Sequence, residues 1–310
     1  MQIALGIKSD PIQYRCSYEW LFRLMDRHSI HYMQLGSFFE LYQLPDSWFT
    51  ELRDQAASHG VRITSVFTAH RELGGFFTGD PRFEQVARRN YERLLEVAAL
   101  LGADYAGSNP GAVYRDQPAA KADGITRYLG HMRQLASRAH ALGLKGLTIE
   151  PMSCLAEPPS TPDEMRSMMQ HLDAWHKSRP DSTVPVWLCG DVSHGLADAD
   201  QQVVHGNLEL FEYALPWMCE FHFKNTDAIF GSTFGFSPAE RQRGTVDVAA
   251  VLAIARRRQA DWPVDQVVDQ MVGYLEISGP KLGRDYADPL LEGQLTESLA
   301  WLRHCIDGQA

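Results

Sequence analysis

The chain has 310 residues, 45% of them hydrophobic, enough to bury a full core in one large domain or two small ones. Its net charge is -10 and only six of its 29 basic residues are lysines, so no phosphate-tracking face for nucleic acid is expected, although a local pocket can still be basic. No apolar run approaches a membrane span, the N-terminus lacks a signal-peptide core, and the five cysteines are scattered without a Cys-x-x-Cys pair; these features predict a soluble cytoplasmic protein with reduced thiols.

From the N-terminus onward, short apolar runs alternate with longer amphipathic ones. Strands are predicted over Gln2–Lys8, His31–Gly36, Arg62–Phe67, Asp104–Ser108, Lys145–Glu150, Val184–Cys189, Met218–Lys224 and Gly273–Ile277. Between and after them, helices are predicted over Tyr18–His28, Ser47–His59, Arg82–Leu101, Ala119–Leu142, Thr161–Lys177, Asp200–Ala214, Val246–Ala260 and Leu290–Cys305. Gly60, Gly102 and Gly143 read as left-handed helix stops just before strands, and Ser160-Thr161-Pro162-Asp163-Glu164 reads as a capped helix start with early acids. No linker interrupts the series. The α/β pattern predicts a single (β/α)8 TIM barrel over residues 1–310, with a doubly wound open sheet as the competing arrangement.

Such a barrel builds its site at the C-terminal mouths of the strands. Four consecutive predicted strands close on a metal-binding side chain: Glu150, Asp191 (followed by His194), His222 and Glu276. One such residue alone is commonly a satisfied polar end. Four at one end of a barrel meet on its axis, and carboxylates so close repel unless a cation or proton lies between them. One divalent metal on Glu150, Asp191, His222 and Glu276 is therefore expected. The oxygen-rich set favours Mn²⁺, with Mg²⁺, Co²⁺ or Zn²⁺ as alternatives. Lys224, Asn225, Ser232 and Thr233 follow the histidine in a Gly-containing loop and are candidate phosphate contacts, ahead of Lys281 and Arg284. Glu157 and His70 are candidate substrate contacts at the mouth, and His194 is expected either on a substrate hydroxyl or orienting Asp191.

These residues, with Arg243-Gly244-Thr245-Val246-Asp247 before the seventh barrel helix, resemble the xylose isomerase-like barrel superfamily in its sugar-phosphate isomerase/epimerase branch, over almost the whole chain. The resemblance implies that the same four residues hold the metal, that Glu150 and Glu276 exchange the substrate proton, and that His194 touches substrate. The phrases Asp10-Pro11-Ile12-Gln13-Tyr14-Arg15, Phe67-Thr68-Ala69-His70-Arg71-Glu72 and His222-Phe223-Lys224-Asn225-Thr226-Asp227 are similar to enzymes of erythritol catabolism that epimerise erythrulose 1-phosphate. One departure is Ala228, where hexulose epimerases of the branch carry an arginine.

The expected activity is isomerisation or epimerisation of a ketose or ketose phosphate through an enediolate. The alternatives are a metal-dependent dehydratase of a polyol or inosose, a non-catalytic sugar binder, and a DNA-repair endonuclease of the same barrel. The last needs further histidines where Ser108-Asn109-Pro110 stands. The expected partner is a small-molecule sugar or sugar phosphate, with no nucleic acid and no membrane. Aromatic mouth loops containing Phe38, Phe39, Tyr42, Trp48, Phe76 and Phe77 suggest a homo-oligomer.

Overall fold

Gly60, Gly102 and Gly143 adopt φ of 68°, 69° and 82°, so the three glycine stops turn the chain from helix into barrel wall as their sequence predicts. The computed structural model describes residues 2–68, 73–257, 270–277 and 285–308. In chain order these form β1 (Gln2–Lys8), α1 (Tyr18–Arg27), β2 (Tyr32–Leu35), α2 (Asp46–Ser58), β3 (Arg62–Thr68), α3 (Pro81–Leu101), β4 (Tyr105–Ser108), α4 (Lys121–Ala141), β5 (Gly146–Ile149) and α5 (Pro162–Lys177). Then come β6 (Val186–Asp191), β7 (Leu196–Ala197), β8 (Val203–His205), α6 (Asn207–Ala214), β9 (Met218–Phe223), α7 (Pro238–Arg243), α8 (Val248–Arg256), β10 (Gln270–Leu275) and α9 (Leu291–Ile306). Among the described residues no helix is long and apolar enough to cross a membrane.

Eight strands close a parallel barrel in the order β1-β10-β9-β6-β5-β4-β3-β2, the expected (β/α)8 TIM barrel. Alternate residues of each strand face the barrel axis, and the others face the surrounding helices. On β9 this sends Glu220 and His222 inward, with Lys224 in line beyond the strand end, while Phe221 and Phe223 pack outward. Most barrel interiors are filled by branched apolar side chains. Here the layer beneath the mouth is polar: Gln34, Ser65, Thr148, Glu220 and His222 are all at most 1% exposed. Gly107 makes room for this layer, because a Cβ there would lie 2.0 Å from Thr148 Oγ1.

Two elements differ from their sequence pattern. The helix predicted from Asp200 begins only at Asn207, and the residues before it form the antiparallel β7–β8 hairpin. Asp198 explains the difference, since its Oδ1 accepts from the Asp200 and Gln202 N–H groups and closes a turn before the β-branched Val203-Val204. The short helix α7 was not anticipated. Glu240 caps it by accepting from the Ser237 N–H and hydroxyl, with Pro238 in its first turn. The helix predicted over Val246–Ala260 runs over Val248–Arg256, capped by Asp247 on the Ala250 N–H, and residues 258–260 lie outside the described residues.

Candidate metal centre

Strand register sets the height of the four expected ligands. Asp191 on β6 is level with His222 on β9. The Glu276 N–H donates to Phe223 O at the end of β9, and the Glu150 N–H to Ser108 O at the end of β4. One ligand atom from each of Glu150, Asp191, His222 and Glu276 lies within 4.8 Å of all the others. His222 Nδ1 is the focus, 2.9 Å from Glu150 Oε1, 3.1 Å from Glu276 Oε2 and 3.9 Å from Asp191 Oδ2.

Each carboxylate has one oxygen turned to this point and the other tied down outside it. Glu150 Oε2 accepts from Asn109 Nδ2, Asp191 Oδ1 accepts from both the N–H and the hydroxyl of Ser193 at 2.7 Å, and Glu276 Oε1 accepts from Lys8 Nζ at 2.8 Å. The inward Asp191 Oδ2 and Glu276 Oε2 are buried without a hydrogen-bond donor. The Lys224 ammonium lies 2.5 Å from the first and 3.6 Å from the second, so a cation already faces both oxygens.

Electrostatics sharpen the picture. Burial opposes the charged form of Glu150, yet His222, His194 and Lys224 draw its pKa down to about 2. Burial likewise opposes charge on Glu276, but Lys224, Lys8 and His222 hold it well below the usual carboxylate range. Burial disfavours a charged His222 ring, and the Glu276 and Glu150 carboxylates outweigh it and raise its pKa. With the His222 ring neutral, as a ligand must be, four carboxylates (Asp10 pairs with Lys8 at 3.0 Å) face two ammoniums, Lys8 and Lys224, leaving a deficit of two positive charges. One dication would fill that deficit, and inward carboxylate oxygens with an imidazole nitrogen are a donor set it fits.

The other predicted site residues divide. His194 Nδ1 donates to Pro151 O at 2.7 Å, which leaves Nε2 to accept from Lys224 Nζ at 3.1 Å while lying 3.3 Å from Asp191 Oδ2. Lys224 is part of the cluster. Glu157 is not: it pairs with Arg115 at 3.1 Å. Asn225 spends its Oδ1 on the Thr226 and Val246 N–H groups, and the Ser232 hydroxyl donates to Asp227 at 2.6 Å, so neither is brought to the cluster. Thr233 lies in the same loop, beside Phe234, whose backbone pairs with Asn225. His70, Lys281 and Arg284 lie outside the described residues.

Lys8, Asn109 and Gln34 were missed. Lys8 ends β1 one residue past the Ile7–Leu275 pair, level with Glu276, so the strand-end criterion extended to β1 would have found it. Asn109 follows β4 in the same way.

Beneath the cluster, Glu220 Oε1 accepts from the Ser65 and Thr148 hydroxyls at 3.0 and 3.2 Å. Burial pushes its pKa up to about 7, against the pull of His222 and its hydrogen bonds. The folded value is above the ordinary 4.5, so between those values the folded chain keeps a proton that the unfolded chain loses. Stability should therefore fall as pH rises across this window, by at most about 1.4 kcal/mol per pH unit. Glu220→Gln should lack this slope. Urea denaturation of both proteins at pH 5 and pH 7 measures it, and parallel stability changes would refute it.

A model of the xylose isomerase-like TIM barrel family matches residues 23–264. Among solved structures, a Rhodospirillum rubrum protein provisionally named a xylose isomerase superposes with a TM-score of 0.73 at 18% identity, covering 99% of each chain. D-psicose 3-epimerase from Clostridium cellulolyticum H10, solved with D-tagatose, gives 0.70 at 15% identity over 98% of this chain and 99% of that one. A protein called IolI, solved with a zinc atom, gives 0.64 at 15% identity over 96% and 99%. At these identities the likeness speaks to the fold. No curated protein matches the sequence at a significant level.

Proposed function

This chain belongs to the xylose isomerase-like TIM barrel family, and from that premise we propose that it is a divalent-metal-dependent isomerase or epimerase of a ketose or ketose phosphate. The observation that carries the reading is the set of three carboxylates, each with one oxygen held outward and one turned to His222 Nδ1. Glu150, Asp191, His222 and Glu276 would hold the ion, Mn²⁺ in the first instance. When bound, it polarises a carbonyl and the neighbouring hydroxyl and contributes on the order of several kcal/mol to stabilising the enediolate.

The chain's own residues do the rest. Glu150 and Glu276 come from strands separated by β6 and β9, so their carboxylates approach a substrate from different sides. One takes the proton from carbon and the other returns one to the opposite face. Their outer oxygens, on Asn109 and Lys8, are the ones left for this exchange. The Lys8 and Lys224 ammoniums stand beside the enediolate charge, and His194, fixed by Pro151, offers its ring edge to a substrate hydroxyl. The Phe67 ring stands edge-on to His222 at 5.2 Å and shields the floor from water. The five cysteines are unbridged, consistent with a cytoplasmic location.

The finer assignment is 3-epimerisation of erythrulose 1-phosphate, supported by the sequence phrases around Asp10, Phe67 and His222 and by Ala228. Tetrulose, pentulose and hexulose substrates, each with and without phosphate, should be incubated with metal-loaded protein in D₂O. The expected result is deuterium at the reacting carbon, with the tetrulose 1-phosphate turned over fastest. Turnover without deuterium would remove the proton-abstraction mechanism, and turnover of unphosphorylated hexuloses alone would remove the tetrulose-phosphate assignment.

A further inference from the structure

The imidazole of His222 is held from below by a chain of hydrogen bonds whose direction can be read from its far end. The ionised Glu220 carboxylate has no proton to give, so its Oε1 accepts from two hydroxyls, Ser65 at 3.0 Å and Thr148 at 3.2 Å. Ser65 has a single hydroxyl proton, and it is spent on Glu220. The Ser65 oxygen can then only accept from Gln34, which lies 3.3 Å away through Nε2. That orients the Gln34 carboxamide, placing its Oε1 2.8 Å from His222 Nε2. An amide oxygen accepts and never donates, so Nε2 must carry the ring proton. The Cys189 sulfur, 3.4 Å from the same nitrogen, is a weak second contact.

We propose that Gln34, locked in one orientation by Ser65 and Glu220, is a positioning residue that fixes His222 in its Nε2–H tautomer. The Nδ1 lone pair is thereby turned toward Glu150, Asp191 and Glu276. Without a cation, Nδ1, at 2.9 and 3.1 Å from carboxylate oxygens, is held there by a second ring proton donated to Glu150, and a bound dication takes that proton's place. The polar layer inside the barrel therefore predisposes the mouth to bind a dication. Gln34 is fully buried, 188 residues from His222 in sequence, and this bond is its contact with the cluster.

The inference rests on the metal-binding part of the function proposed above, and the test separates the two. Mn²⁺ affinity should be measured by competition with a chelator for the parent, Gln34→Met and Gln34→Glu. Orienting partners of ligating histidines are typically worth ~10–100-fold in metal affinity. Gln34→Met should lose an amount on that order, while Gln34→Glu, which keeps an acceptor against Nε2, should bind as the parent does. In the parent loaded with diamagnetic Zn²⁺, the His222 ¹⁵N spectrum should show Nε2 protonated and Nδ1 bearing the ion. This readout holds even where a variant fails to fold. Metal on Nε2, a proton on Nδ1, or a folded Gln34→Met with parental affinity would overturn the inference alone. A parent that takes up neither ion would overturn the metal-dependent function and this inference with it.

Discussion

Glu150→Gln and Glu276→Gln are each expected to lower epimerisation by ~10²–10⁴-fold, the usual contribution of a general acid or base. Each variant should also lose metal affinity. The replacement amide keeps its oxygen on Asn109 or Lys8 and turns its NH₂ toward the ion, so turnover must be compared at saturating Mn²⁺. The informative readout is the residual chemistry. With one glutamate gone, the other still takes the proton from the face it serves and returns it there. Glu150→Gln should therefore exchange deuterium into one epimer without inversion, and Glu276→Gln into the other. Exchange lost or retained for both epimers alike would contradict a two-base mechanism. A sugar binder without catalysis would instead keep its ligand affinity in both variants and show no exchange in the parent.

The second large effect should follow removal of the dication. Chelation is expected to abolish turnover and Mn²⁺ to restore it, because the buried carboxylates then lack the cation that draws them to one point. A ligand at a hundred times its Kd stabilises a folded chain by about 2.7 kcal/mol, which for a chain of this size raises Tm by roughly 4 °C. The pH dependence has a definite sign. In chelated protein the His222 pKa is raised by Glu276 and Glu150 over the opposing effect of burial. The stability it contributes is present below the ordinary imidazole range and is lost as pH rises through the raised value. Metal affinity should change in the opposite direction, weakening on acidification as protons displace the ion from His222. Thermal scans and turnover with and without chelator across this range measure both, and identical curves would exclude a resident dication.

The accuracy of the sequence reading followed the range of the interactions involved. The residues Glu150, Asp191, His222 and Glu276 were legible because a strand's inner face is set by alternation along a few residues, and parallel register carries four strand ends to one height. The glycine stops and the Asp247 cap were legible for the same reason: each is decided within one turn of helix. The inner bonding of the candidate phosphate loop was not legible, because Asp227 organises it. Its carboxylate takes the Ser232 hydroxyl and the Ile229 and Gly231 N–H groups, and composition alone does not reveal that commitment. The hairpin before α6 was missed because a turn held by Asp198 outweighed helical spacing over seven residues.

Periodicity and punctuation in the sequence alone determined the barrel's repeating units, its closing ends and the four residues of the centre. Only the tertiary structure decided how those four are held. Lys8 meets Glu276 across 268 residues, Gln34 meets His222 across 188, and Asn109 meets Glu150 across 41. Such partners are chosen by barrel closure, which brings chain segments together by geometry that no local pattern encodes.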